Sequence, residues 1–162
     1  MVTLERLKEL LSYDPDTGLF TWRVARGKAA RGSVAGYLRP DGYLEIRLDE
    51  RAYYAHRLAW LYTKGVWPPR KLDHEDLNKA NNREGNLRLA TNSQNSGNTG
   101  LNSRNTSGYK GVKQLPNGRF VAQIGRHGRM YHLGMYANAF EAVAAYEAAA
   151  VEHYGEFARV SW

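Results

Sequence analysis

Residues 72–95, LDHEDLNKANNREGNLRLATNSQN, decide how this chain is read. Asp73 can bind a hard divalent cation through oxygen, and His74 beside it can take a proton from water near neutral pH, because an unperturbed imidazole titrates at about 6.5. Asn95 offers a neutral amide oxygen as a second ligand. Asn86 lies between them, where it can orient the imidazole through a hydrogen bond without adding charge to a site that must receive phosphate. Short strands are expected over 70–74 and 86–90, with Leu87 and Leu89 inward and Arg88 outward, joined by a loop over 75–85. Thr91 can cap a short helix through Asn95. A hairpin crossed by a helix would then gather residues far apart in sequence around one cation. Glu75, Asp76 and Glu84 read as solvated loop acids, with Asp76 also available as an outer partner, and Asn98 as a substitute for Asn95.

Working outward, residues 3–11 are expected to form a helix with Thr3 as N-cap and Leu4, Leu7, Leu10 and Leu11 on one face, stopping at Asp14-Pro15. Beyond the turn DPDTG, strands are expected over 19–24, 33–39 and 43–48, with turns at 40–42 and 49–51. Residues 56–63, HRLAWLYT, suit a helix closed by Gly65. His56, ahead of its apolar face, reads as a buried structural hydrogen-bonder. Arg57 suits either a phosphate contact or packing of its stem on Trp60.

The 162 residues are enough for one domain or two small ones, and a 43% hydrophobic content supports modest cores. No stretch is long and apolar enough to span a bilayer, and MVTLERLKELL is amphipathic rather than a signal peptide, so a cytoplasmic location is expected. There is no cysteine, which excludes disulfides and thiolate zinc sites. Any metal is then held by oxygen or imidazole, favouring Mg2+, with Mn2+ as the other candidate.

Lys and Arg total 23 against 16 acids, for a net charge of +7, and from Asn86 to Phe140 there is no acid at all. That run carries Arg88, Arg104, Lys110, Lys113, Arg119, Arg126 and Arg129 among Asn, Gln, Ser, Thr and Tyr, a composition suited to phosphates and base edges. Residues 92–107 are polar and glycine-bearing, as in an exposed linker. From Gly108 onward, strands are expected over 109–115, 119–126 and 129–136, with turns at 116–118 and 126–128. Phe120, Ala122 and Ile124 share one face of the middle strand, while Arg119, Val121 and Gln123 share the other. A helix capped by Asn138, with Glu141 as capping-box partner, runs to Gly155 with Ala142, Ala145, Tyr146 and Ala149 toward the sheet. The sheet's other face is left open for a ligand.

These segments resemble an HNH nuclease, the His-Me finger or ββα-metal group, in its Asn-rich variant. HRLAW, DH, NLRLAT and QN carry the resemblance, which covers about 10–98 and extends to GLFTW and GYLEIRL. It implies His74 as general base, Asp73 and Asn95 as metal ligands, Asn86 as the residue orienting the base, and products bearing a 3′-hydroxyl and a 5′-phosphate. The order YKGV, GRFVAQI, HLGMY and AVAAYEAAA is similar to the plant ethylene-response-factor DNA-binding domain, which lays a three-stranded sheet in the major groove. Lys110, Lys113, Gln123 and His132 match its DNA-contacting places, and Arg119 a basic place beside them. Leu115, Asn117 and Gly125 depart from it, so that family's target sequence does not carry over.

The expected fold is α+β: a ββα-metal nuclease core with an N-terminal β-rich extension over 1–98 (core about 54–98), a linker over 99–107, and a three-stranded antiparallel sheet packed on one helix over 108–162. The expected function is metal-dependent hydrolysis of phosphodiester bonds in double-stranded DNA, by nicking or double-strand cleavage, in a phage or mobile-element setting. The sheet module would raise the local concentration of the nuclease on its target. The chain would act as monomer or homodimer, without a membrane. A catalytically inactive, sequence-specific DNA-binding regulator derived from such a nuclease is the alternative. An RNA-binding module is a third, disfavoured by the lack of aromatic pairs that stack bases.

Overall fold

The computed structural model describes residues 1–126 and 128–160. The chain divides into two compact units, Met1–Ala90 and Thr91–Trp162. The division falls earlier than the sequence suggests, and residues 91–107 are not a free linker. Gly97 lies against the Tyr154 ring, its carbonyl accepts from Arg159 N at 3.3 Å, and Ser107 Oγ donates to the Val112 carbonyl at 2.6 Å. These bonds tie the polar stretch to the second unit.

The first unit opens with α1 (Leu4–Leu10), whose N-cap Thr3 accepts from Arg6 N, and continues directly into β1 (Leu11–Tyr13), so Leu11 begins a strand rather than closing the helix. β1 pairs with β2 (Phe20–Trp22), which pairs with β3 (Val34–Ala35). The expected strand over 33–39 is broken at Gly36, whose φ of +125° ends β3 before β4 (Tyr37–Leu38) enters another sheet. There β4 pairs with β5 (Leu44–Leu48), and β5 with β6 (Arg51–Tyr54). Asp49 and Glu50 both have positive φ, the backbone of a tight two-residue hairpin, which frees Arg51 to start a strand the sequence reading missed. The helix α2 (Ala55–Lys64) ends on left-handed Gly65 as expected. β7 (Lys71–His74) and β8 (Leu87–Ala90) form the expected antiparallel hairpin, with a 3-10 turn at Glu84–Asn86 before β8. Leu7, Leu11, Phe20, Ile46, Leu48 and Leu58 are fully buried and join α1, α2 and the sheets in one core.

The second unit begins with α3 (Asn92–Gly97), where Thr91 and Gln94 form a reciprocal capping box. Its sheet has the order β11-β10-β9, from β9 (Val112–Gln114), β10 (Phe120–Arg126) and β11 (Arg129–Tyr136). β9 starts later than expected because Gly111, at φ +70°, passes so close to Tyr146 that a Cβ there would lie 2.0 Å from its ring. The helix α4 (Ala139–Tyr154) is capped by Asn138, which exchanges bonds with Glu141 N and Oε1. Its buried positions are Ala142, Tyr146, Ala150 and Tyr154, so the buried stripe turns away from Ala145 and Ala149, which are only half-buried. The turn expected through His127, and the chain end at 161–162, fall outside the described residues.

Candidate functional site

Strand alternation divides the end of the β7–β8 hairpin into two faces. Asp73 stands opposite Arg88 and His74 opposite Leu87. On one face the Asp73 carboxylate receives Arg88 Nε at 3.0 Å, and Arg88 Nη1 lies 3.6 Å from Glu75 Oε1. Arg88, expected outward as a phosphate contact, is instead half-buried at 18% side-chain exposure. The reason is that Asp73 is buried beside it and draws the guanidinium in.

On the other face His74 is buried, at 4% exposure, and its ring lies near Asn82, with Oδ1 at 3.4 Å from Nε2, the His56 ring, at 5.2 Å between centroids, and the Tyr43 ring, at 6.0 Å. Desolvation lowers the imidazole pKa below its ordinary value, against the opposing pull of Asn82, Asp76 and Asp73. The ring is therefore neutral at pH 7, the form that accepts a proton.

The amide facing this ring belongs to Asn82 and not to Asn86. Asn86 spends its side chain on the loop: Nδ2 donates to Asp76 Oδ1 at 2.9 Å and to the Asn81 carbonyl at 2.8 Å, and Oδ1 accepts from Asp76 N at 3.1 Å. Asp76 is the hub of this network, also accepting from Asn81 Nδ2 at 2.7 Å and Asn78 N at 2.8 Å. Burial raises its pKa, but these bonds outweigh it and hold the carboxyl below the usual range. Far from being a free loop acid, Asp76 fixes the segment that carries Asn82. Glu84 is likewise engaged, with Lys64 Nζ at 2.7 Å.

The distant turn DPDTG completes the support. Gly18, at φ +73°, lies so close that an added Cβ would meet Arg83 N at 2.5 Å and the Asn82 carbonyl carbon at 2.6 Å. Tyr13 Oη donates to the Asn82 carbonyl at 2.7 Å. Asn82 is fully buried. Sequence reasoning passed over it because it is one of seven asparagines from 78 to 98, and packing against Gly18 distinguishes it. His56 is buried as expected, but its Nδ1 has no hydrogen-bond partner among the described residues, and desolvation, with His74 and Arg57 adding to it, lowers its pKa to about 3.

In the second unit, Asn95 stands half-buried on α3, and Asn98, just beyond it, is buried. Among the described residues no cluster of three or more His, Cys, Asp or Glu forms a metal cage. The expected donors are one carboxylate and one amide, both hard oxygen, and the carboxylate is shared with Arg88. That chemistry fits a weakly held hard cation that keeps several waters.

The sheet separates charge. Pairing of Val121 with Lys113 and Met135, and of Gln123 with His132, puts Lys113, Gln123 and His132 on the face turned away from the buried Ala122 and Ile124. Arg104, Arg119, Arg126 and Arg129 are exposed, while the unit's acids, Glu141, Glu147, Glu152 and Glu156, all follow the sheet in sequence, on α4 and the turn after it. Lys110 departs from the expected DNA contacts: its Nζ donates to the Gly97 carbonyl at 2.5 Å, and burial lowers its pKa to about 8. It lines a cavity of about 820 Å³ together with Ser93, Gln123, Arg129 and Tyr146.

Residues 53–96 match the family model described as HNH endonuclease. An uncharacterized HNH endonuclease, L560, of Acanthamoeba polyphaga mimivirus is 33% identical over 124 residues, which is 75% of this chain and 64% of that protein. The chain thus spans under two thirds of the curated relative it matches. A solved structure, of DNA binding and cleavage by the HNH homing endonuclease I-HmuI, shares 24% identity over 59% of this chain and 54% of the other, at a TM-score of 0.44. None of the described helices is long and apolar enough to cross a membrane.

Proposed function

We propose that this chain is a metal-dependent DNA endonuclease of the HNH type, with His74 as general base. The observation that carries the proposal is a neutral imidazole braced by Asn82 and adjoining a carboxylate, inside the segment that matches the HNH family model. His74 would take the proton from a water placed in line with a phosphodiester, a role worth on the order of 10²–10⁴-fold in rate. Asp73 from the hairpin and Asn95 from α3 are the proposed metal ligands. A bound divalent cation would supply charge neutralisation at the phosphate and the departing oxygen. Asn86 and Asp76 act at one remove, holding the loop that presents Asn82.

The second unit is the proposed reader of duplex DNA, through Lys113, Gln123 and His132 on the open sheet face and Arg104, Arg119, Arg126 and Arg129 around it. Gln can pair bidentately with adenine and Lys can reach guanine, while the arginines anchor phosphates. The proposed setting is the cytoplasm of a host cell, with the protein encoded by a phage or mobile element.

The burial of His74 favours the rival reading, a DNA-binding regulator without turnover, since a base must meet water. One experiment separates them: supercoiled and linear duplexes incubated with protein in Mg2+, Mn2+ or chelator, beside His74→Ala. Cleavage requires conversion of supercoiled DNA in metal, its loss in chelator, and its loss in His74→Ala with binding kept. Binding by the wild type without conversion in either metal establishes the regulator. Competition by RNA as strong as by duplex DNA would refute the duplex reader.

A further inference from the structure

The duplex-reading face does not account for the cavity of about 820 Å³ in the second unit. It lies where β9 stops short. β9 pairs with β10 only as far as Val112 and Ala122, and before Val112 the chain stays attached through the Gly111 carbonyl, which accepts from Gln123 N at 2.8 Å. Further along β10, α4 takes over the edge, where the Tyr154 hydroxyl donates to the Gly125 carbonyl, and Ser93 and Ser96 of α3 form another wall. The volume falls within the range of small-molecule sites, about 300–1,000 Å³.

Its charge is one-sided. Lys110 and Arg129 both line it, and none of its described lining residues is acidic. Neither cation forms an ion pair among the described residues. Lys110 is half-buried beside another cation, Arg159, so its ammonium is held against both desolvation and repulsion, with the Gly97 carbonyl taking one of its three donors. Charges withdrawn from water are paired as a rule, and an anionic group in the cavity would pair Lys110 and Arg129. The remaining walls narrow the class of ligand. Ser93 and Ser96 offer hydroxyls, and Tyr146 and Met130 an apolar surface, the mixture that suits a flat heteroaromatic base, in a space much larger than a phosphate group needs.

We propose that this cavity binds one nucleotide, with Lys110 and Arg129 serving its phosphate and Tyr146 and Met130 its base. The ligand is either a free nucleoside 5′-monophosphate or the terminal nucleotide of a single strand, which share that chemistry. An intact duplex keeps its bases stacked and paired, and drawing one out costs a few kcal/mol, so Lys110 stays apart from duplex binding.

The inference does not rest on the nuclease reading, because a mononucleotide has no phosphodiester to cut and the measurement is made in chelator. Calorimetric titration of the full-length protein with each deoxynucleoside 5′-monophosphate, the matching nucleosides and inorganic phosphate gives the affinities. At least one monophosphate should bind, with its nucleoside and inorganic phosphate each about tenfold or more weaker, the share of one charge-assisted hydrogen bond. Lys110→Met, which keeps the stem and removes the charge, should weaken binding about tenfold or more, while Lys113→Ala, on the open sheet face, should leave it within about twofold. Arg129→Met changes an exposed side chain, should weaken binding by a similar factor, and carries the test where Lys110→Met does not fold. In nitrogen-15 spectra the Gly111 and Gly125 amides should shift on titration. A short 5′-phosphorylated single strand that competes with the monophosphate supports the strand end as source, and one that does not supports the free nucleotide. Absence of binding by every monophosphate at millimolar concentration overturns the proposal. So does wild-type affinity in folded Lys110→Met or Arg129→Met, a loss in Lys113→Ala as large as in Lys110→Met, or nucleoside or inorganic phosphate bound as tightly as the nucleotide.

Discussion

Gly18→Ala tests whether the DPDTG turn supports the site. The substitution adds one methyl at a residue with φ +73°, where it would stand 2.5 Å from Arg83 N, 2.6 Å from the Asn82 carbonyl carbon and 3.0 Å from Asn82 N. The left-handed conformation alone costs a non-glycine residue about 1–2 kcal/mol. The clash is with backbone, which cannot rotate away, and relieving such overpacking costs about 1–3 kcal/mol more. The sum is about 2–5 kcal/mol, and in a unit of this size each kcal/mol lowers the melting temperature by about 4–8 °C, so a drop of at least about 8 °C is expected. Because the displaced backbone carries Asn82, nicking should fall even at temperatures where the variant is fully folded. Gly27→Ala is the control: Gly27 also has positive φ, at +57°, but its Cβ would meet nothing within 4 Å. It should lose only the conformational part and keep its activity. Calorimetric melts of both variants, with nicking assays well below their transitions, decide the matter. Equal melting temperatures for the two variants would refute the close-approach argument.

Four further outcomes are expected. His56 is kept neutral in the fold, with its pKa lowered from 6.5 to about 3, so the unfolded chain binds the proton first and stability falls as pH drops through that window, by up to about 1.4 kcal/mol per pH unit; urea midpoints at pH 7 and pH 5 should show it, and His56→Phe should reduce it, leaving the share that the lowered His74 contributes in the same direction. Asn86→Ala removes three hydrogen bonds that close the loop, a loss of about 3 kcal/mol at roughly 1 kcal/mol each, visible as faster amide exchange at Asp76 and Asn81. Arg88→Met takes the ion pair from Asp73 and should destabilise the hairpin by about 1–3 kcal/mol in urea titration, discounted from a fully buried pair because Arg88 retains some exposure. Lys113→Ala should weaken duplex binding and flatten the salt dependence of log K by about 0.9, while Lys110→Met, whose amine faces Gly97, should leave that slope unchanged.

Much of the secondary structure was legible in local signals. The caps at Thr3, Thr91 and Asn138, the stop at Gly65, and the strands around Asp73-His74 and from Phe120 onward follow from side chains that act within four residues of themselves. Misreadings arose where one local signal overrode another: Gly36 cut an apparent strand in two, and a tight turn at Asp49-Glu50 exposed a strand where a longer turn was expected. The pairing of Asp73 with His74 as a candidate site was visible because both residues stand side by side in the chain.

What the amino-acid order determined by itself was the chemistry available: an imidazole beside a carboxylate, asparagines in place of further acids, an acid-free basic run, and no thiols. Those are properties of residue type and spacing, and no folding is needed to read them. What the tertiary structure decided was which of the interchangeable groups is used. Asn82 rather than Asn86 meets the ring, Arg88 turns inward to Asp73, Lys110 turns to a carbonyl, and His56 comes to rest against His74. Each outcome depends on contacts between segments distant in sequence, such as Gly18 against Asn82, and residues of the same type have the same local propensity until packing distinguishes them.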